Sequence, residues 1–489
     1  MQSNDDNDGA ASNRICASCV GESFLSAEIQ STGVDAECSY CKRSGQSWTI
    51  EELADRIETA FADHYNRTAD YPDSWQERLQ ADSESSYVWE REGQPVLEAI
   101  EEAAEIPSEA AEDVLEILAD KYASSPSDYS GEEDEFDPDS YYELKGSDDR
   151  VWQLEWRHFE QSLKTEARYF SRSAAAHLAA VFGSIDKLRA RDGNQLVVDA
   201  GPETAFEYLY RARVFQSNGD LIEALCRPDR GLAPPPTRSA TAGRMNAKGI
   251  AVFYGAEEPA VALAEVRPPV GSRVAVARFS IVRPLRLLDL SAISDAYDVG
   301  SIFDPSLKDR LERVAFLQSL GARISRPVMP DDEDFDYLAT QAVADFLATD
   351  NEPRLDGIIF TSAQHRGGRN IVLFHSAARV AAMELPDDTE VSANCGYHDE
   401  DGWQVEYWVW EEVPADSAPA PLKRPGLGEE FGGLFSPFAL AADGDIRIET
   451  LRVIPESVEV HHIDRIRVET TVYPVERHRH EKRRNQHDG

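Results

Sequence analysis

Two groups of residues in this chain have types and spacing that suit chemistry. Cys16, Cys19, Cys38 and Cys41 form two Cys-x-x-Cys pairs separated by 18 residues. Each pair can bite one side of a tetrahedral ion with deprotonated thiolates, as in a four-cysteine zinc knuckle or ribbon. Four protein ligands fill such a coordination sphere, so the ion's role there is structural rather than catalytic. The competing readings are disulfides, which a cytoplasmic setting disfavours, and four chance thiols. Cys226 and Cys395 stand alone and read as ordinary thiols. The second group lies on residues 243–267, GRMNAKGIAVFYGAEEPAVALAEVR. It holds Arg244 and Asn246 on a glycine-bounded loop, Tyr254 after a short apolar run, and Glu265 among Val261, Ala262, Leu263, Ala264 and Val266. A carboxylate in that apolar company is either a structural ion pair, with Arg267 or Arg273, or a site facing a pocket.

The elements that must position these residues follow from local pattern. Residues 250–253 read as a strand, Gly255 as a tight turn, and residues 259–266 as a helix entered by Pro259 after two acids. Further strands are expected near 207–215, 273–281, 285–289, 357–361 and 370–374, with helices near 307–320 and 336–349. Strands dominate and regular crossovers are few, so the expected fold is α+β, a mixed sandwich rather than a doubly wound sheet. Ahead of it, residues 47–122 read as helices, the first opened by a capping box of Thr49 and Glu52. A long helix from 149 towards 176 would bury Trp152, Trp156, Phe159, Leu163 and Phe170. A closing pair of strands is expected at 446–453 and 458–472. Arg172 and His177 have the spacing of a helical ribonuclease pair, but five residues apart on a helix they do not share a stripe.

The resulting domain plan is a tail at 1–13, a four-cysteine zinc-binding module at 14–46 and a helical domain at 47–200 with an acidic linker at 124–140. A catalytic domain follows at 203–380, then an extension with closing strands at 381–474 and a basic tail at 475–489. The net charge of −41, from 90 acidic and 49 basic residues, argues against general binding to DNA. Residues 1–15 lack the apolar core of a signal peptide, and no run reaches the roughly 20 apolar residues of a membrane span. A soluble, cytoplasmic protein is expected. No Gly-x-Gly-x-x-Gly fingerprint is present, so any dinucleotide would be a substrate rather than a Rossmann cofactor.

Five pieces in order, YRAR (210–213), GRMN (243–246), VFYGA (252–256), ALAEVR (262–267) and DGIIFTSAQHRGGRNIVLF (356–374), resemble the RES family, named for an Arg, a Glu and a Ser. The resemblance implies an ADP-ribosyltransferase-like fold and an enzyme that degrades NAD with inorganic phosphate, or water, as acceptor. It implies a toxin or defence role, with an antitoxin or other regulatory protein as partner. Carried over, Arg211, Glu265 and Ser362 are the catalytic set. Arg213, Arg244, Asn246, Tyr254 and Asn370 are substrate-binding, with Arg213 an alternative to Arg211 for phosphate. The family loop usually has a Trp where Met245 stands. The cysteine-helical region resembles the HEPN-like segment ahead of RES domains in long members. The alternatives are ADP-ribosyl transfer to a macromolecule, or a HEPN-type ribonuclease using Arg172 and His177.

Overall fold

The structure is a computed structural model that describes residues 13–82, 84–123, 133–168, 170–326, 328–414, 445–467 and 469–479. Most of the tail, linker and basic-tail segments named above, and the Pro/Gly-rich stretch from 415, lie outside these residues. The chain forms two compact units. The first comprises Met1–Val198, Gly243–Met245 and Leu287–Leu355; the second comprises Asp199–Ala242, Asn246–Arg286 and Asp356–Gly489.

In the first unit the cysteine pairs sit on a small sheet, with Ser44–Thr49 between Arg14–Cys16 and Val34–Glu37. Thr49 then caps helix Ile50–His64: its hydroxyl accepts from the Glu52 amide, and Glu52 accepts from the Thr49 amide at 2.8 Å. Leu53, Ile57 and Phe61 of that helix are buried against Val96 and Ile100 of helix Val96–Ala104 and Val114 and Leu118 of helix Ser108–Tyr122. A short sheet missing from the sequence reading, with Tyr141–Leu144 between Tyr65–Arg67 and Gln94–Pro95, interrupts the helical region. Its strands have four residues or fewer, too short to show a period of two.

The single long helix expected from 149 is two helices, Arg150–Thr165 and Arg172–Phe182. Ser171 starts the second by accepting from the Ala174 amide, and Phe170 before it has φ 61° and is fully exposed. Ser at a helix start competes with continuation of the preceding helix, and that local capping overrides the apolar stripe. Trp156 and Phe159 are buried as expected and flank His177, while Trp156 also packs on Phe316 of helix Leu307–Ser325. That helix and Glu333–Thr349 therefore share a core with the N-terminal helices.

The second unit is built on most of a nine-stranded sheet, of which Val197–Val198 and Leu287–Asp289 fall in the first unit's segments. Its strands, in chain order, are β1 (Val197–Ala200), β2 (Tyr208–Phe215), β3 (Phe253–Ala256), β4 (Arg273–Ile281), β5 (Leu285–Asp289), β6 (Gly357–Thr361), β7 (Arg369–Leu373), β8 (Leu451–Val453) and β9 (Glu459–His462). The order is β8-β4-β2-β3-β7-β6-β5-β1, with β9 also on β4. The strands β4, β5 and β6 fall where the apolar pattern places them. The two closing strands do not pair with each other. Each instead adds to β4, β8 at Phe279–Ile281 and β9 at Arg273–Val276. Strand β3 begins at Phe253, so Tyr254 lies inside the strand and Gly255 continues it. Content is mixed α+β, and no helix among the described residues is long and apolar enough to cross a membrane.

His177 supplies a pH test. Burial between Trp156 and Phe159 lowers its pKa below the ordinary imidazole value, and its Nε2 has no partner. The unfolded chain therefore binds the proton more tightly than the folded one. Stability is full above the unfolded pKa of about 6.5 and falls as the pH drops below it. Acidification from pH 7.5 to 5.5 should lower the unfolding midpoint, and His177→Phe should flatten that dependence in thermal melts.

Candidate functional site

The four cysteines meet as the spacing requires. Cys16 Sγ lies 3.7 Å from Cys19 Sγ and 3.6 Å from Cys41 Sγ, and Cys19 Sγ lies 3.8 Å from Cys38 Sγ. All four sulfurs fall within 4.8 Å of one another and none is in a disulfide. A tetrahedron with Zn–S bonds of about 2.3 Å needs sulfurs about 3.8 Å apart, so the set fits one tetrahedral ion. Burial pushes the Cys16 and Cys19 thiols up, while a backbone hydrogen bond from Arg43 brings Cys41 down to about 7. Elemental analysis of purified protein should find about one metal ion per chain, lost in Cys38→Ser together with part of the first unit's thermal stability.

Glu265 ends helix Pro259–Glu265 in the second unit. Val261 and Ala262 of that helix, with Ala256 of β3, form a cluster against which Tyr210 and Ala212 of β2 pack. This packing fixes the helix on one face of the sheet. Glu265 Oε1 then accepts two hydrogen bonds, from Ser362 Oγ at 2.6 Å and from Asn370 Nδ2 at 2.7 Å. Oε2 accepts none from any described residue. Ser362 and Asn370 are buried, and the β6–β7 hairpin holds both: Phe360 pairs with Asn370, and the Ser362 amide donates to the Gly368 carbonyl. Ser362 Oγ also accepts from the amides of Gln364 and His365, each at 3.1 Å. Its one proton is therefore committed to the carboxylate, and Ser362 acts as a positioning group rather than a nucleophile.

Tyr254 shares this face. It pairs with Val372, so Asn370 is its diagonal neighbour on the adjacent strand. Its hydroxyl donates to Asn246 Oδ1 at 2.9 Å. Asn246 is buried, and its amide nitrogen donates to the carbonyls of Thr241, Ile250 and Ala247. Asn246 thus ties the loop beneath Tyr254 and has no donor left for a ligand, unlike its expected substrate-binding role.

The arginines are not gathered at Glu265. Tyr210 and Ala212 face the helix, so strand alternation directs Arg211 to the other side. Its guanidinium lies 5.1 Å over the Phe253 ring and donates to the Tyr254 carbonyl at 2.8 Å, with Nε buried and unpartnered. Burial and the nearby Arg213 lower its pKa to about 10, which leaves it a cation at neutral pH. Arg213 is exposed and donates to the Gly231 carbonyl at 2.6 Å. Arg244 belongs to the first unit, where it donates to the Ile324 carbonyl and lies 5.7 Å over Tyr337. Met245 is buried.

The Arg172–His177 pair is not assembled. Arg172 is exposed at the first turn of its helix, while His177 is wedged among aromatics with Glu155 at 3.6 Å from Nδ1. A separation of five residues turns the two side chains to different sides of the helix. Sequence reasoning missed the backbone part of the site, the amides of Gln364 and His365. The signal was Gly367-Gly368: a Cβ at Gly368 would come within 2.4 Å of Val261 Cγ2, so only glycine lets this hairpin lie on the helix.

Residues 209–393 match the family of the RES domain. No curated protein and no solved structure matches the chain. The matched segment contains β2 with Arg211, β3 with Tyr254, and the contact of Glu265 with Ser362 and Asn370. Through these residues the chain carries a RES domain over 209–393.

Proposed function

We propose that the second unit cleaves NAD between nicotinamide and ribose and passes the ADP-ribosyl group to inorganic phosphate. The observation that carries the reading is the Glu265 carboxylate, gripped on one oxygen by Ser362 and Asn370 and open on the other, beside Tyr254. In this reaction the C–N bond breaks and its electrons leave with the nicotinamide ring, which is thereby neutralised. Positive charge grows on the anomeric carbon. A fixed carboxylate stabilises that charge as it develops, as in glycosidases, and needs no strong acid beside it because the leaving group is already cationic. A phosphate oxygen then bonds to the same carbon and gives nicotinamide and ADP-ribose-1″-phosphate. Tyr254 supplies a ring for the nicotinamide or its ribose. Arg211, a cation with no carboxylate partner among the described residues, supplies a binding group for phosphate.

The fold proposed for the unit is ADP-ribosyltransferase-like. The metal proposed for the four cysteines is zinc, held for structure. A toxin or defence role in the cytoplasm, held in check by a regulatory protein, accompanies this reading through family resemblance.

The test is nicotinamide release from NAD by the purified chain, with and without inorganic phosphate. Phosphate-dependent release should fall about 10²–10³-fold in Glu265→Gln. Ser362→Ala and Asn370→Ala should each lose about ten- to a hundredfold, since each removes one hydrogen bond to a charged group. Phosphate-independent release would make the acceptor water or a macromolecule, and absence of release at low and high salt would overturn the reading.

A further inference from the structure

A cavity of about 330 Å³ opens in the second unit where β4 begins. Arg273, Trp403, Val405, Tyr407, His462 and Ile463 are among its lining residues. All of these but Arg273 lie past the end of the matched RES segment, so the extension builds most of this wall. The cavity is also remote from Glu265. Asn370, Ala256, Tyr210 and Arg278 are level across β7, β3, β2 and β4. Arg273 lies five residues further along β4 than Arg278, a displacement of about 17 Å along the strand.

We propose that this cavity is a second ligand site, for a small anion that carries a flat ring, of the nucleoside monophosphate class. Arg273 supplies the charge. Several arginines of this unit are paired with acids at short range, Arg283 with Asp356, Arg369 with Glu257 and Arg447 with Asp445. Arg273 has no ion-pair partner among the described residues and touches the Tyr407 hydroxyl instead. In a chain of net charge −41, a guanidinium left with a neutral neighbour inside a concavity suits an anion. Tyr407 is held in turn by His462, whose Nε2 lies 2.6 Å from the hydroxyl, so the donor wall is fixed before a ligand arrives.

Trp403 supplies the ring surface. It is half exposed, yet its position is set: a Cβ at Gly396 would come within 2.8 Å of its ring, and His398 packs edge-on at 5.1 Å. An indole fixed on one side and open on the other is a platform for a base. Val405 and Ile463 continue the apolar wall. Asp464 also lines the cavity and is exposed. It would repel a phosphate beside it but can accept from ribose hydroxyls, which orients the ligand with its phosphate towards Arg273. The volume stands at the lower end of small-molecule sites, which favours a mononucleotide over a dinucleotide.

Calorimetric titration of the full chain with AMP, adenosine and inorganic phosphate tests this. AMP is expected to bind more tightly than either fragment, and Arg273→Gln and Trp403→Ala should each weaken it about tenfold or more. Thermal melts report whether the variants remain folded. Trp403 is half exposed, so its truncation decides the matter if Arg273→Gln unfolds. Failure of AMP to bind at millimolar concentration, or equal binding by wild type and Trp403→Ala, would overturn the site. Inorganic phosphate binding as tightly as AMP would overturn the ring-bearing ligand. None of these outcomes depends on NAD cleavage at Glu265.

Discussion

The two hydrogen bonds onto Glu265 Oε1 depend on the arrangement of the elements around them in the second unit. They join residues 97 and 105 positions apart in the chain, so no local preference can make them. Three conditions must hold together. The helix must end where Glu265 overhangs the sheet, which the buried Val261 and Ala262 ensure. The β6–β7 hairpin must keep Phe360 opposite Asn370, because a slip of one residue would turn Asn370 to the other face. The turn of that hairpin must lie against the helix, which requires Gly368. Each condition is steric and lies away from the carboxylate. The carboxylate is thereby left with one oxygen satisfied and one available, and it is not buried as an uncompensated charge.

Much of this was legible in the sequence, and for identifiable reasons. Strands β4, β5 and β6 are apolar runs bounded by turn residues, and the Thr49–Glu52 capping box is a local signal that the structure reproduces. The cysteine spacing foretold a cluster because ligand geometry constrains the spacing. What was not legible depends on registers and on competition between local signals. Nothing in residues 446–472 says that the two closing strands would each pair with β4 rather than with each other. The break before Arg172 turned on Ser171 prevailing over an otherwise continuous stripe. The side of the sheet occupied by Arg211 could be read only once β2 was known to present Tyr210 and Ala212 to the helix.

That last point bears on how the arginine can serve the reaction proposed for Glu265. The ladder between β2 and β3 is a single pair, Ala256 with Tyr210, and beyond it Arg211 donates to the Tyr254 carbonyl. The guanidinium thus sits at a seam between strands, on the side of the sheet opposite the helix that carries Glu265. Its position over Phe253, which packs edge-on against Phe279, holds the cation at that seam without a carboxylate. An anion bound there gains a full charge without first breaking an ion pair, which matters in a chain where acids outnumber bases by 90 to 49.

The same bond links three residues that sequence spacing could name only separately. Arg211 grips the backbone of Tyr254, the Tyr254 hydroxyl is held by Asn246, and Asn246 ties three carbonyls of its own loop. A ligand phosphate that drew the guanidinium towards itself would therefore act on the strand carrying Tyr254, and through Tyr254 on the loop. Asn246 fixes where the tyrosine hydroxyl stands and spends its own amide donors on the loop. One connected set of hydrogen bonds thus runs from Arg211 through Tyr254 to Asn246, in the sheet against which the helix ending in Glu265 packs.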